Sequence, residues 1–87
     1  MKELTIKIID PIGLHARPAS NLALAANKFV SSIKLISNGK EANLKSTMNI
    51  MALGVKTGTE VTFKFEGSDE DLALEEIKKV LVKENIA

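Results

Sequence analysis

The chain has one histidine, His15, and it stands two positions before Arg17 in the run Gly13-Leu14-His15-Ala16-Arg17-Pro18-Ala19. An imidazole is a nucleophile or proton carrier near neutral pH. A guanidinium forms bidentate, charge-assisted bonds to phosphate oxygens. A single histidine is ordinarily a surface or core residue, so its neighbours decide the reading. Proline is tolerated in a helix only in the first turn, and Pro18 therefore puts His15 at or near an N-cap. The unpaired N–H groups of Ala16, Arg17 and their neighbours then converge beside the ring, although Pro18 itself offers none. The chemistry this spacing suggests is transfer of a phosphoryl group to and from His15. Arg17 and the helix start would stabilise its charge. No cluster of metal ligands accompanies the run, and a partner protein could bring any further catalytic group.

A second run, Lys45-Ser46-Thr47-Met48-Asn49-Ile50-Met51, carries a serine where a short helix should begin. Ser46 reads as an N-cap, although Asn49 is not the Glu or Gln of a full capping box. Methionine packs adaptably, so Met48 and Met51 are either flexible filling or, if exposed, a docking surface. A phosphate on Ser46 would sit well at a helix start and add charge to that surface without unfolding the domain.

These runs need elements to hold them. Lys2 to Ile9 alternates, with Leu4, Ile6 and Ile8 set against Thr5 and Lys7, and predicts a half-buried strand. Asp10-Pro11-Ile12-Gly13 breaks it. A helix is expected from Ala16 to about Asn27, with Leu22, Ala26, Phe29 and Val30 near one stripe. Ser31 to Ser37 and Lys40 to Leu44 read as strands joined by Asn38-Gly39, the strongest short hairpin signal. A short helix should follow Ser46 to Leu53, with Gly54 as its left-handed stop. Glu60 to Glu66 alternates through Val61, Phe63 and Phe65. The last helix is expected to open with Ser68 as cap and Asp69, Glu70 and Asp71 in its first turn. Lys78, Lys79 and Lys83 lie toward its end. Its apolar face is Ala73, Leu74, Ile77, Val80 and Leu81. The order β-α-β-β-α-β-α makes a two-layer α/β (α+β) sandwich, open on one face.

Eighty-seven residues suit one small domain, with no linker, repeat or low-complexity segment to divide it. The absence of cysteine excludes disulfides and thiolate metal sites and suits a reducing cytoplasm. There is no signal-peptide pattern, and no apolar run approaches the roughly 18 residues of a membrane helix. A formal net charge of +1 argues against a nucleic-acid surface.

The two runs, and the length and element order around them, resemble the HPr family of histidine phosphocarriers. Gly13-Leu14-His15-Ala16-Arg17-Pro18-Ala19 matches the family's active-site signature throughout. Asn43-Leu44-Lys45-Ser46, with Met48, Met51, Leu53 and Gly54 beyond it, is similar to its regulatory-serine signature. The resemblance implies an open-faced β-sandwich, a four-stranded antiparallel sheet covered on one face by three helices. It implies that His15 Nδ1 takes a phosphoryl group from Enzyme I, itself charged by phosphoenolpyruvate with Mg, and passes it to the IIA domains of sugar permeases. Arg17 would stabilise the phosphate. No cofactor is implied on this chain, which would act as a cytoplasmic monomer and a carrier rather than a turnover enzyme. Ser46 would be the target of an HPr kinase/phosphorylase, with a transcriptional regulator as a further partner, and Thr47, Met48 and Met51 would dock partners. Two residues depart from the serine signature. Thr47 stands where a bulky apolar residue is usual and Asn49 where glycine is common, which thins the apolar patch and adds a competing hydroxyl.

Three other readings compete. A purely regulatory paralogue would lack the histidine, which this chain has. A phosphatase would release phosphate with multiple turnovers. An RNA-binding sheet would show aromatics on exposed strands, whereas Phe63 and Phe65 share a face expected to be core.

Overall fold

The structure is a computed structural model that describes all 87 residues. Its elements are β1 (Lys2–Lys7), α1 (Ala16–Ala26), β2 (Ser32–Ser37), β3 (Lys40–Asn43), α2 (Thr47–Ala52), β4 (Glu60–Glu66) and α3 (Glu70–Lys83). The strands form one antiparallel sheet in the order β1-β4-β2-β3. This is the expected order of elements and the expected architecture.

Alternation sorts the two faces of the sheet. Leu4, Phe63, Leu35 and Ala42 align in one row across all four strands, on the face the helices cover. Thr5, Thr62, Ile36 and Glu41 form the adjacent row on the open face, where the Thr5 and Thr62 hydroxyls meet at 3.0 Å. Phe63 and Phe65 are fully buried with Leu22, Ile33, Leu35, Ile50 and Ile77 in one core. Each such side chain contributes about 1.5–3 kcal/mol through burial. No aromatic stands on the open face, which removes the observation an RNA-binding sheet would need. No helix is long and apolar enough to cross a membrane.

The turns follow their residues. Asn38 and Gly39 both take positive φ, 52° and 78°, as a two-residue hairpin of this kind requires. Helix α3 ends in a Schellman motif with Asn85 in the left-handed position. Ile86 N–H reaches back to the Leu81 carbonyl at 2.9 Å and Asn85 N–H to Val82 at 3.2 Å.

Three local expectations need correction. β1 stops at Lys7, because Ile8 N–H pairs with the Thr59 carbonyl in a loop and Ile9 turns to solvent. Val30 is 79% exposed rather than part of the α1 stripe, because the chain leaves the helix at Asn27. Ser68 does not cap α3. That position belongs to Asp69, whose carboxylate is turned away to the start of β2. It accepts from the N–H groups of Val30 and Ser31, each at 3.0 Å, and from the Ser31 hydroxyl. A contact between residues 38 positions apart leaves no local signal.

These bonds, the Ser31 hydroxyl first and then the two backbone N–H groups, hold the Asp69 carboxyl below the usual carboxylate range. A lowered folded-state pKa contributes stability that is present above the unfolded value of about 3.9 and lost as pH falls through the folded value. The unfolding midpoint of the protein should therefore fall as pH drops below about 4. Asp69→Asn should flatten that part of the profile. An unchanged acid limb in thermal melts of the variant would remove Asp69 from the acid response.

Candidate functional site

The sheet order places β4 between β1 and β2, and this brings the loop after β1 against the loop before β4. Gly58 N–H donates to the Ile8 carbonyl at 2.7 Å, and Leu14 N–H to the Val55 carbonyl at 3.0 Å. On the other side, Ile9 N–H donates to the Ile86 carbonyl at 2.8 Å, just beyond α3. The segment carrying His15 is thus held from both flanks.

Within it, Gly13 N–H closes a turn onto the Asp10 carbonyl at 3.0 Å, and Ile12 N–H donates to Asp10 Oδ1 at 2.9 Å. This Asx turn is what Asp before Pro favours. Gly13 adopts φ +90°, and His15 follows in extended geometry as the N-cap of α1. Its carbonyl accepts from Ala19 N–H at 3.0 Å while its side chain makes no capping bond. The imidazole is thus not engaged by the helix start, and it is half-buried rather than fully exposed, with 35% of the side chain accessible. The N–H groups of Ala16 and Arg17 have no partner, and the exposed Arg17 guanidinium meets no carboxylate. His15, Arg17 and Pro18 line one polar groove between the start of α1 and the end of α3. The arrangement can accept an anionic group on the ring and surround it with unspent donors.

Three features of this groove and of the loop beside it went unseen in the sequence. Asp10, read only as a strand breaker, sets Oδ1 3.5 Å from His15 Nε2. Lys83, Glu84 and Asn85 form its far wall, with Glu84 fixed by Asn21 Nδ2 at 3.0 Å. Ile12, 71% exposed, is a large apolar side chain on the same loop. The Asp10-Pro11 pair was a local signal for the first; the second depends on a contact 63 positions apart and had none.

The serine site is separate. Ser46 is the N-cap of α2, half-buried, and its Oγ accepts from Asn49 N–H at 3.2 Å and from Asn49 Nδ2 at 3.1 Å. Asn49 thus folds back on the cap as a double donor. Asn27, at the end of α1, donates to the Lys45 carbonyl at 2.9 Å, whereas the end of α2 meets the start of α1 through Val55 and Leu14. The two helices run antiparallel, and His15 and Ser46 stand at opposite ends of the 11-residue α1, about 16 Å apart along its axis. Between them Met48 is 81% and Met51 44% exposed, while Thr47 is half-buried. No group of three or more His, Cys, Asp or Glu side chains is placed to hold a metal ion.

Residues 2–83 match the family model described as the PTS HPr component phosphorylation site. The chain is 50% identical over 82 residues to the phosphocarrier protein HPr of Mycoplasma capricolum, covering 94% of this chain and 92% of that one. A solved structure of a mycoplasma histidine-containing phosphocarrier protein superposes with a TM-score of 0.96 at 47% identity, covering 98% and 97% of the two chains. An HPr dimer from Thermoanaerobacter tengcongensis superposes with a TM-score of 0.75 at 41% identity, covering 100% and 99%.

Proposed function

The chain belongs to the HPr family, the phosphocarriers of the phosphotransferase system, and from that premise we propose that His15 takes a phosphoryl group from Enzyme I and gives it to IIA domains. The observation that carries this is the N-cap imidazole beside two unpartnered N–H groups and an unpaired Arg17. In the forward step a bond forms between phosphorus and the ring while the bond between phosphorus and the donor breaks. Nδ1, the nitrogen nearer the main chain, is the one able to bring the phosphoryl oxygens toward Ala16 N–H and Arg17 N–H. Preorganised donors stabilise that charge without rearrangement. Phosphoenolpyruvate and Mg act upstream on Enzyme I, and this chain needs neither itself.

Incubation with Enzyme I, Mg and phosphoenolpyruvate should add one acid-labile phosphoryl group, read by intact mass. No adduct, with a second carrier labelled in the same tube, would refute the reading. Arg17→Ala should still form the adduct but about tenfold more slowly, since a charged hydrogen bond to the transferring group is worth about 1.5 kcal/mol. Quench-flow rates equal to wild type would take Arg17 out of the mechanism.

Ser46 serves regulation in this reading. A phosphate on Oγ would keep the Asn49 donors and place negative charge beside Thr47, Met48 and Met51, the surface we assign to docking. An acidic partner would then be repelled at that face, which fits control by an HPr kinase/phosphorylase and recognition by a transcriptional regulator. One accessible histidine and one docking face need no second copy, so the working form is a monomer. A cytoplasmic setting supplies the phosphoenolpyruvate.

A further inference from the structure

We infer that Asp10 is a positioning residue for phosphoryl transfer, holding the proton on His15 Nε2 so that Nδ1 presents its lone pair. The inference rests on the carrier reading above and adds to it a residue outside the Gly13–Ala19 signature. Its basis is geometric. Asp10 Oδ1 lies 3.5 Å from Nε2 and is itself held by Ile12 N–H at 2.9 Å. Its side chain is only 16% accessible, so the carboxylate is not free to swing into solvent. The Gly13 N–H bond to the Asp10 carbonyl and the Ile86 bonds to Ile9 and Asp10 fix the backbone beneath it.

A neutral imidazole carries its proton on one nitrogen or the other, and the partner of one decides the state of both. A carboxylate facing Nε2 favours the Nε2–H tautomer. As the bond between Nδ1 and phosphorus forms, the ring nitrogen gives up its lone pair and the imidazole gains positive charge, with the Nε2 proton in place throughout. The departing donor keeps the electron pair of the bond that breaks. Asp10 then faces an imidazolium, and the attraction between them grows along the forward step. When the phosphoryl group leaves for an acceptor, the ring returns to neutrality and the attraction relaxes. The contact therefore favours the step in which charge develops, as a carboxylate behind a nucleophilic or basic histidine does elsewhere.

The other charged groups facing the groove are Arg17, Lys83 and Glu84. Glu84 is taken by Asn21, so Asp10 is the carboxylate opposed to the ring.

The test is the tautomer itself, read from nitrogen-15 shifts and long-range proton–nitrogen couplings of His15 in the unphosphorylated protein at a pH where the ring is neutral. Asp10→Asn keeps the acceptor for Ile12 N–H and removes the charge. The ratio of Nε2–H to Nδ1–H forms should fall about fivefold, and the rate of phosphoryl uptake from Enzyme I by a similar factor, as for a partly exposed charge pair. Asp10→Ser, which also retains a turn acceptor, should show the same loss if the Asn variant alters the loop. An unchanged tautomer ratio in both overturns the inference even if wild type forms its adduct. A lowered ratio in a protein that takes up no phosphoryl group would overturn the carrier reading and leave the pairing standing.

Discussion

His15→Ala should take up no phosphoryl group from Enzyme I and phosphoenolpyruvate, and it should melt close to the wild type. Both halves follow from the same local geometry. The imidazole makes no capping bond, so its removal leaves no N–H orphaned that was paired before. The carbonyl bond to Ala19 belongs to the backbone and survives. The side chain is 35% accessible and lies outside the apolar core, so little packing is lost. The stability change should stay within about 1 kcal/mol, the size of an ordinary surface substitution or a weak cap. Uptake should be lost completely because the donors at the start of α1 can hold a phosphate but cannot form a covalent bond to it. Intact mass and a thermal melt on one preparation check both claims. An adduct on the variant would move the accepting atom elsewhere, and resistance to acid would point to a hydroxyl such as Ser46. A variant that fails to fold would make His15 a structural residue.

The elements were legible because each is dictated by neighbours in the chain. Period-two alternation marked β2 and β4, Asn38-Gly39 the hairpin between β2 and β3, and Ser46 and Gly54 the two ends of α2, where Gly54 takes φ +64°. That His15 lies at or near the N-cap followed from Pro18. What was illegible is what the sheet order creates. β4 enters between β1 and β2, and only this brings residues 55–59 and the Ile86 tail against the His15 loop. Asp10 shows the boundary between the two cases. Its Asx turn is local, but whether the same Oδ1 also faces the His15 ring depends on how the His15 backbone leaves Gly13. Asp69 shows the same limit, since the sequence placed it in the first turn of α3 and its actual partners are across the fold.

Gly13→Ala should be the most damaging single change near the site. Glycine is needed there twice over. At φ +90° a side chain is strained, and a Cβ would lie 2.8 Å from Lys56 Cα and closer still to the Val55 carbonyl oxygen. These are backbone atoms, so no rotamer change relieves the contact. The loop must move away from residues 55 and 56, and the Leu14 N–H bond to Val55 breaks with it. Backbone strain of about 1–2 kcal/mol and overpacking of about 1–3 kcal/mol together predict a loss near 3 kcal/mol. For a domain of this size that lowers the melting midpoint by about 15 °C. Gly54→Ala is the internal control, because it has the strained backbone at φ +64° but open space around its Cβ, and it should lose only the smaller share. Uptake by folded Gly13→Ala should also slow, since the displaced loop carries both Asp10 and His15, and transfer depends on their alignment with the helix start. If Gly13→Ala melts with Gly54→Ala, the packing of Val55 and Lys56 on Gly13 does not hold the site. In that event His15 must be positioned by the Asx turn and the Ile86 bonds alone.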